Sequence, residues 1–312
     1  MPPRYTIIIP AAQFAEARPA LAGVAGQPPP GRAQVLVALG RHPARQRNAA
    51  LSRATGAVVV FLDNDVAIGA GYWDELERAF AQPAVEVVGG PALLRTQAAP
   101  RERIFQALLT HPLVVGPLRA RYAAVGSFRR SSQRELILCN LAARRAVFER
   151  IGQLPVDLYP NEENEWLDRA HAAGVGIYYD PALRIFRPQR ETWGAMARTL
   201  VRYGIGRTRQ FQLSRHFTAH QPAPFVLLAP ACALEWGPAG LAIFGVGWLL
   251  VALAVGLTCE GGLGPGQRAL AGLAAPLVPI LYAWGQVLGW FVRGTPEVPE
   301  ITLVDETGRP VE

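Results

Sequence analysis

Short apolar runs, separated by polar stretches with helical periodicity, organise the first two thirds of the chain. The runs "YTIIIP" (5–10), "AQVLVAL" (33–39), "AVVVFL" (57–62) and "AVEVVGG" (84–90) have strand length and turn residues at their borders. Residues 45–55 read as a helix that stops at Gly56, and 71–82 as an amphipathic helix. Strands alternating with helices predict an α/β domain with a mostly parallel sheet covered on both faces. In such sheets ligands sit beyond the carboxyl ends of the strands.

The pattern changes near residue 222. Residues 237–257 and 269–292 carry no charge, are each long enough to cross a bilayer, and both contain tryptophan, a residue of membrane interfaces. The apolar stretch 222–234 is shorter and reads as a third span, a re-entrant piece or an interfacial piece. Buried helices of a soluble protein are the alternative, and two uncharged stretches of this length weigh against it. The expected organisation is a domain over 1–220 whose last part, 184–220, is basic, then a membrane region of two or three helices over 221–293, then a polar tail over 294–312.

Charge sharpens that division. The formal net charge is +7, and the 31 basic residues are all arginine. Abundant Ala, Gly, Pro and Arg are the mark of GC-rich coding, and the positive balance also suits phosphate or an anionic surface. Arginines crowd 184–215, just before the first apolar block, which places that flank and the domain before it in the cytoplasm. Arg198, Arg202 and Arg209 recur at mainly helical intervals beside Trp193, Leu200 and Tyr203. Such a helix lies on anionic lipid, holds the phosphates of a lipid-linked acceptor, or is a plain basic flank. The first apolar run is too short for a signal peptide. Cys139, Cys232 and Cys259 are far apart and read as reduced core or membrane residues. His42, His111, His171, His216 and His220 lack ligand spacing, and "GGLGPG" (261–266) lacks the Lys-Ser/Thr of a phosphate loop. The basic residues sit beside apolar segments and no nucleic-acid motif occurs, so no nucleic-acid partner is expected.

The candidate chemistry is acidic. The strand "AVVVFL" ends on Asp63 and Asp65, whose side chains share a face if the strand continues through them. Two like charges that close call for a positive neighbour, and Mg²⁺ or Mn²⁺ takes carboxylate oxygen together with substrate phosphate. An ordinary solvated turn with an aspartate helix cap is the alternative. A second cluster, Glu162, Glu163 and Glu165, opens a helix that runs to Gly174. The helix dipole favours acids there, but three in four residues exceed what a cap requires. A carboxylate beside a substrate hydroxyl is the usual general base.

Together these pieces resemble the family-2 glycosyltransferases, inverting enzymes of the GT-A fold, over roughly residues 4–210. The resemblance rests on "YTIIIP", "RQRNAALSRATGAVVVFLDNDV", the glycines 89–90, "LCNLAARRAVFERIGQL" (138–154), and "NEENEWLDRAHAAG" followed by "IYYDPAL". The stretch "RPQRETWGAMARTLVRYGIGRTRQ" is similar to membrane-anchored members that build bacterial exopolysaccharides, the succinoglycan-type subgroup. The resemblance implies a nucleotide-sugar donor, a lipid-linked or saccharide acceptor, membrane lipid around the C-terminal helices, and a place in the bacterial cytoplasmic membrane. It implies that Asp65 binds the divalent cation with Asp63 on the ion or the ribose, and that Pro10, Arg47 and Asn48 help hold the donor. Glu163 takes the position of the catalytic base, with Glu162 as the other candidate. Glu165, Arg169, Arg190, Tyr203 and Arg207 support the site or the acceptor. The chain departs from the family pattern twice. No aspartate precedes Asp63 to touch the nucleobase, and the base position carries Glu where Asp is commoner. The competing function is a catalytically inactive relative that scaffolds polysaccharide assembly.

Overall fold

The computed structural model describes residues 3–215, 223–292 and 300–311, so His216, His220 and 294–299 of the tail lie outside the described residues. Two compact units emerge. One comprises Met1–Arg95, Ala120–Pro188 and Thr295–Glu312, and the other Thr96–Arg119 and Gln189–Gly294.

The first unit holds eleven strands among its described residues: β1 (Tyr5–Ala11), β2 (Ala33–Leu39), β3 (Val58–Leu62), β4 (Ala67–Ile68), β5 (Val87–Gly89), β6 (Ala92–Leu94), β7 (Arg129–Arg130), β8 (Asn140–Arg144), β9 (Ile177–Tyr179), β10 (Ile185–Arg187) and β11 (Thr302–Val304). Eight form one sheet in the order β11-β2-β1-β3-β8-β5-β9-β7, and the small sheet runs β4-β10-β6. In the large sheet β1, β2, β3, β5 and β9 run one way and β11, β8 and β7 the other. The expected mixed α/β fold with a mostly parallel sheet is what forms.

Alternation along the strands builds a core on each face. On one side Tyr5, Ile7 and Ile9 of β1 meet Ala20 and Val24 of the Arg18–Gly26 helix and Tyr72, Leu76 and Phe80 of the Tyr72–Phe80 helix. On the other, Ile8 joins Ala50 of the Pro43–Leu51 helix, Phe148 of the Arg145–Ile151 helix, and Trp166, Leu167 and Ala170 of the Glu162–Ala172 helix. Gly90 explains the glycine pair at 89–90: a Cβ there would stand 1.9 Å from the Leu183 carbonyl oxygen, so only glycine lets the two backbones approach.

The run read as a strand over 84–90 is shorter, Val87–Gly89, and three further boundaries differ from the sequence reading. The helix read as 45–55 is Pro43–Leu51 and ends short of Gly56; Pro43 suits its first turn, and the His42 side chain caps it by accepting from the Arg45 N–H at 3.4 Å. β3 ends at Leu62, so Asp63 and Asp65 stand in the turn after the strand rather than on its face. Part of the polar tail is β11, whose Thr302, Leu303 and Val304 pair antiparallel with Leu39, Ala38 and Val37 of β2.

In the second unit the basic segment forms the helix Trp193–Ser214, capped by Thr192 through a 3.1 Å bond from the Ala195 N–H. It packs on the apolar helix Leu277–Gly289. A Cβ on Gly204 would lie 2.1 Å from the Tyr282 carbonyl oxygen, and one on Gly285 2.1 Å from that of Val201, so small residues bring these backbones together. Two helical stretches, Gly237–Thr258 and Pro265–Gly289, are long and apolar enough to cross a membrane, with mean hydropathies of 2.3 and 1.4. The second has a turn at residues 275–276. Leu241, Ile243, Val246, Leu249, Leu250 and Leu257 of the first are exposed. The three cysteines are free; Cys139 and Cys259 are buried and Cys232 is exposed.

Candidate active site

The acidic groups at 63 and 162 meet through one arginine. Gln46, in the Pro43–Leu51 helix, donates to the carbonyls of Ala11 (2.9 Å) and Ala38 (2.6 Å) and so clamps this helix across the carboxyl ends of β1 and β2. The next residue, Arg47, is buried. Its Nη2 lies 2.6 Å from Asp63 Oδ1 and its Nη1 3.3 Å from Glu162 Oε1. One guanidinium thus joins the turn after β3 to the start of the Glu162–Ala172 helix.

A second arginine closes the aspartate side. The register that pairs Ile185 with Ile68 and Phe186 with Ala67 carries Arg187 of β10 level with the residue after Asp65. Arg187 Nη1 stands 3.3 Å from Asp63 Oδ2 and Nη2 3.2 Å from Asp65 Oδ2.

The glutamates begin a helix that the sequence places firmly. Asn161 caps it in the left-handed region at φ 95°, a conformation disfavoured for a residue with a Cβ. Acids in the first turn and Arg169 and His171 in the last agree with the helix dipole. Glu162 is buried, while Glu163 is slightly more open and lies 3.7 Å from Arg121 Nη1. Arg121 is itself held by the Asn164 side chain and the Gln133 carbonyl. Burial, and then the charge of Glu163, raise the Glu162 carboxyl well above the usual carboxylate range, although Arg47 pulls the other way.

The structure brings Arg47, Asp63, Asp65, Glu162 and Glu163 into this cluster. Pro10 is buried near the end of β1; the register that pairs Ile8 with Phe61 carries it toward the turn that holds Asp63. Asn48 goes elsewhere: its amide donates to the Leu154 carbonyl (2.8 Å) and accepts from the Leu154 N–H (3.1 Å). Both ends of that side chain are spent on backbone. Glu165 and Arg169 pair at 2.9 Å, and Arg169 also donates to the carbonyls of Ile151 and Gln153, tying the helix to its preceding loop. Arg190, Tyr203 and Arg207 belong to the second unit. There Arg207 is buried and donates to Gln210 Oε1 at 2.9 Å, while its Nε has no hydrogen-bond partner among the described residues. A hollow of about 310 Å³ lined by Arg130, Ser131, Glu135 and His171 contains none of the expected site residues.

Sequence reading missed Arg187 and Arg121. Arg187 was absorbed into the basic segment, whereas the unit boundary falls after Pro188. Its position at the end of a short apolar run, "RIFR", was the available signal. Arg121 has no local signal.

Hard divalent cations bind carboxylate oxygen and complete their shells with water and phosphate. Asp65 Oδ1 is buried and has no hydrogen-bond partner among the described residues, which fits a carboxylate that would take such an ion. No group of three or more His, Cys, Asp and Glu suited to a metal occurs among the described residues, so Asp65 and Asp63 would hold only part of the shell.

The fold is shared with a known enzyme. The mannosyltransferase PcManGT from Pyrobaculum calidifontis, solved in complex with GDP-Man and Mn²⁺, superposes with a TM-score of 0.57 at 18% identity over 92% of this chain and 88% of that one. S. aureus TarS 1–349 in complex with UDP-GlcNAc gives a TM-score of 0.44 at 14% identity over 91% of this chain and 90% of that one. No family model and no curated protein matches the sequence.

Proposed function

We propose that the chain is a membrane-bound inverting glycosyltransferase that moves a sugar from a nucleotide-sugar to a hydroxyl of a lipid-linked or saccharide acceptor, in cell-surface polysaccharide synthesis. One observation carries the reading: Arg47 joins Asp63 to Glu162, so the carboxylates suited to a donor's cation and those suited to an acceptor's proton belong to one cluster. The fold shared with PcManGT supports it.

Asp65, through its unpartnered Oδ1, and Asp63 would hold a divalent cation. When bound, that ion offsets the charge that grows on the leaving diphosphate. Arg47 orients Asp63. Glu163 accepts the proton of the acceptor hydroxyl, whose oxygen attacks the anomeric carbon from the face opposite the diphosphate. The carbon–oxygen bond to the diphosphate breaks as the new one forms, and a single displacement inverts the centre. The exposed leucines and isoleucine of Gly237–Thr258 support a place in a membrane, and the arginines of 184–215 support a cytoplasmic side for that flank.

The test is transfer by purified membranes supplied with a panel of labelled nucleotide-sugars and Mn²⁺. Product with one donor, lost in Asp65→Ala and on chelation, is expected. Equal rates with and without chelator would reject the ion's role. Absence of transfer from every donor would favour the inactive scaffold.

A further inference from the structure

Arg187 occupies the position, in charge terms, that a cation shared by both aspartates would take. Its two terminal nitrogens divide between Asp63 Oδ2 and Asp65 Oδ2 at 3.3 and 3.2 Å. Arg47 engages the other oxygen of Asp63 at 2.6 Å. Three of the four carboxylate oxygens therefore face guanidinium groups, and the fourth, Asp65 Oδ1, is buried with no hydrogen-bond partner among the described residues. The pair is attractive to a cation and already guarded by one.

We infer that Arg187 is an internal competitor for the divalent cation. In the nucleotide-free protein its fork neutralises Asp63 and Asp65 and keeps ion affinity low. A diphosphate offers the same fork paired anionic oxygens, the geometry guanidinium prefers. Binding of the diphosphate draws Arg187 off the aspartates and frees them for the ion. Nucleotide and cation then raise each other's affinity, as linkage requires. The ion is admitted when the group it must neutralise has arrived. This inference rests on the donor-site reading above.

The experiment titrates Mn²⁺ into the purified full-length protein, following the electron paramagnetic resonance signal of the free ion, alone and with GDP or UDP. Wild-type protein should bind Mn²⁺ weakly alone and about tenfold or more tightly with one of the nucleotides. Arg187→Gln should bind Mn²⁺ about tenfold or more tightly than wild type without nucleotide, and lose most of the coupling. Arg187→Lys keeps the charge but not the fork, and should fall between the two; it is the deciding variant if the glutamine protein lacks a cooperative melt. Asp65→Asn should abolish Mn²⁺ binding in either background. Arg187→Gln binding no tighter than wild type would overturn the competition, while nucleotide-dependent Mn²⁺ binding by wild type left the donor site standing. No Mn²⁺ binding by any variant, with either nucleotide, would overturn the ion site and the competition together.

Discussion

The Asp63–Asp65 turn and the Glu162–Glu163 helix start are two acidic pairs handled in opposite ways. The aspartates are partly open, with side-chain exposures of 24% and 35%, and two arginines take three of their oxygens. The glutamates are deeper, at 4% and 13%, and have only one close guanidinium contact, from Arg47, with Arg121 at 3.7 Å. Burial, and then the charge of Glu163, favour the protonated form of Glu162 even with Arg47 beside it. The difference teaches how one cluster can place carboxylates in two environments. The aspartates are the more open pair and are held by arginine, whereas the glutamates are buried, with Glu163 the freer of the two.

Four measurements would break or sharpen this contrast. Arg47 belongs to both pairs, so Arg47→Met should cost most, about 1–3 kcal/mol in denaturant unfolding, because it leaves Asp63 Oδ1 and the buried Glu162 Oε1 without their shared donor. A loss confined to activity, with stability kept, would mean the pairs do not depend on one another. Next, Glu163→Gln should cut turnover by roughly 10²-fold or more while nucleotide-sugar binding is nearly kept. Full turnover there, with loss in Glu162→Gln, moves the base by one residue. Third is pH. Glu162 is pushed up to about 8, so the folded chain holds a proton that the unfolded chain has released. Stability from this group is therefore lost as pH rises from the ordinary carboxyl range toward that value. Glu162→Gln should flatten that slope in melts taken across the range; an unchanged slope would assign it elsewhere. Smallest is Glu165→Gln, which removes one partner of an intrahelical pair and should change stability by about 0.2–1 kcal/mol with turnover intact. A large fall in turnover would bring Glu165 into the chemistry.

Much of this was legible from local pattern. Apolar runs located β1, β2 and β3 because strands buried on both faces read as continuous hydrophobic stretches. The acidic first turn and the spacing of Leu167, Ala170 and Ala173 gave the helix from Glu162 to within two residues of its sequence-read end at Gly174. What pairs with the acids was not legible. Arg187 reaches Asp65 across 122 residues, through the register of β10 on β4, and no window of sequence contains both. Arg121 lies at the end of a short 3-10 helix, Gly116–Arg121, that has no periodicity to read. Nor was the partner of Asn48 legible: next to Arg47 in the helix, it points to a different side, onto the Leu154 backbone.

The pairing of β11 with β2 reaches beyond the sheet. Backbone hydrogen bonds cannot be made through a lipid layer, so residues 188 and 300 stand in the same compartment whatever the intervening helices do. On the proposed membrane reading, the chain between them would traverse the bilayer an even number of times. Two passes by Gly237–Thr258 and Pro265–Gly289 would satisfy that parity, and a complete third pass by 222–234 would break it. Reporter tags at the two chain ends should respond alike to an impermeant reagent, and opposite responses would mean that β11 is not where the fold puts it.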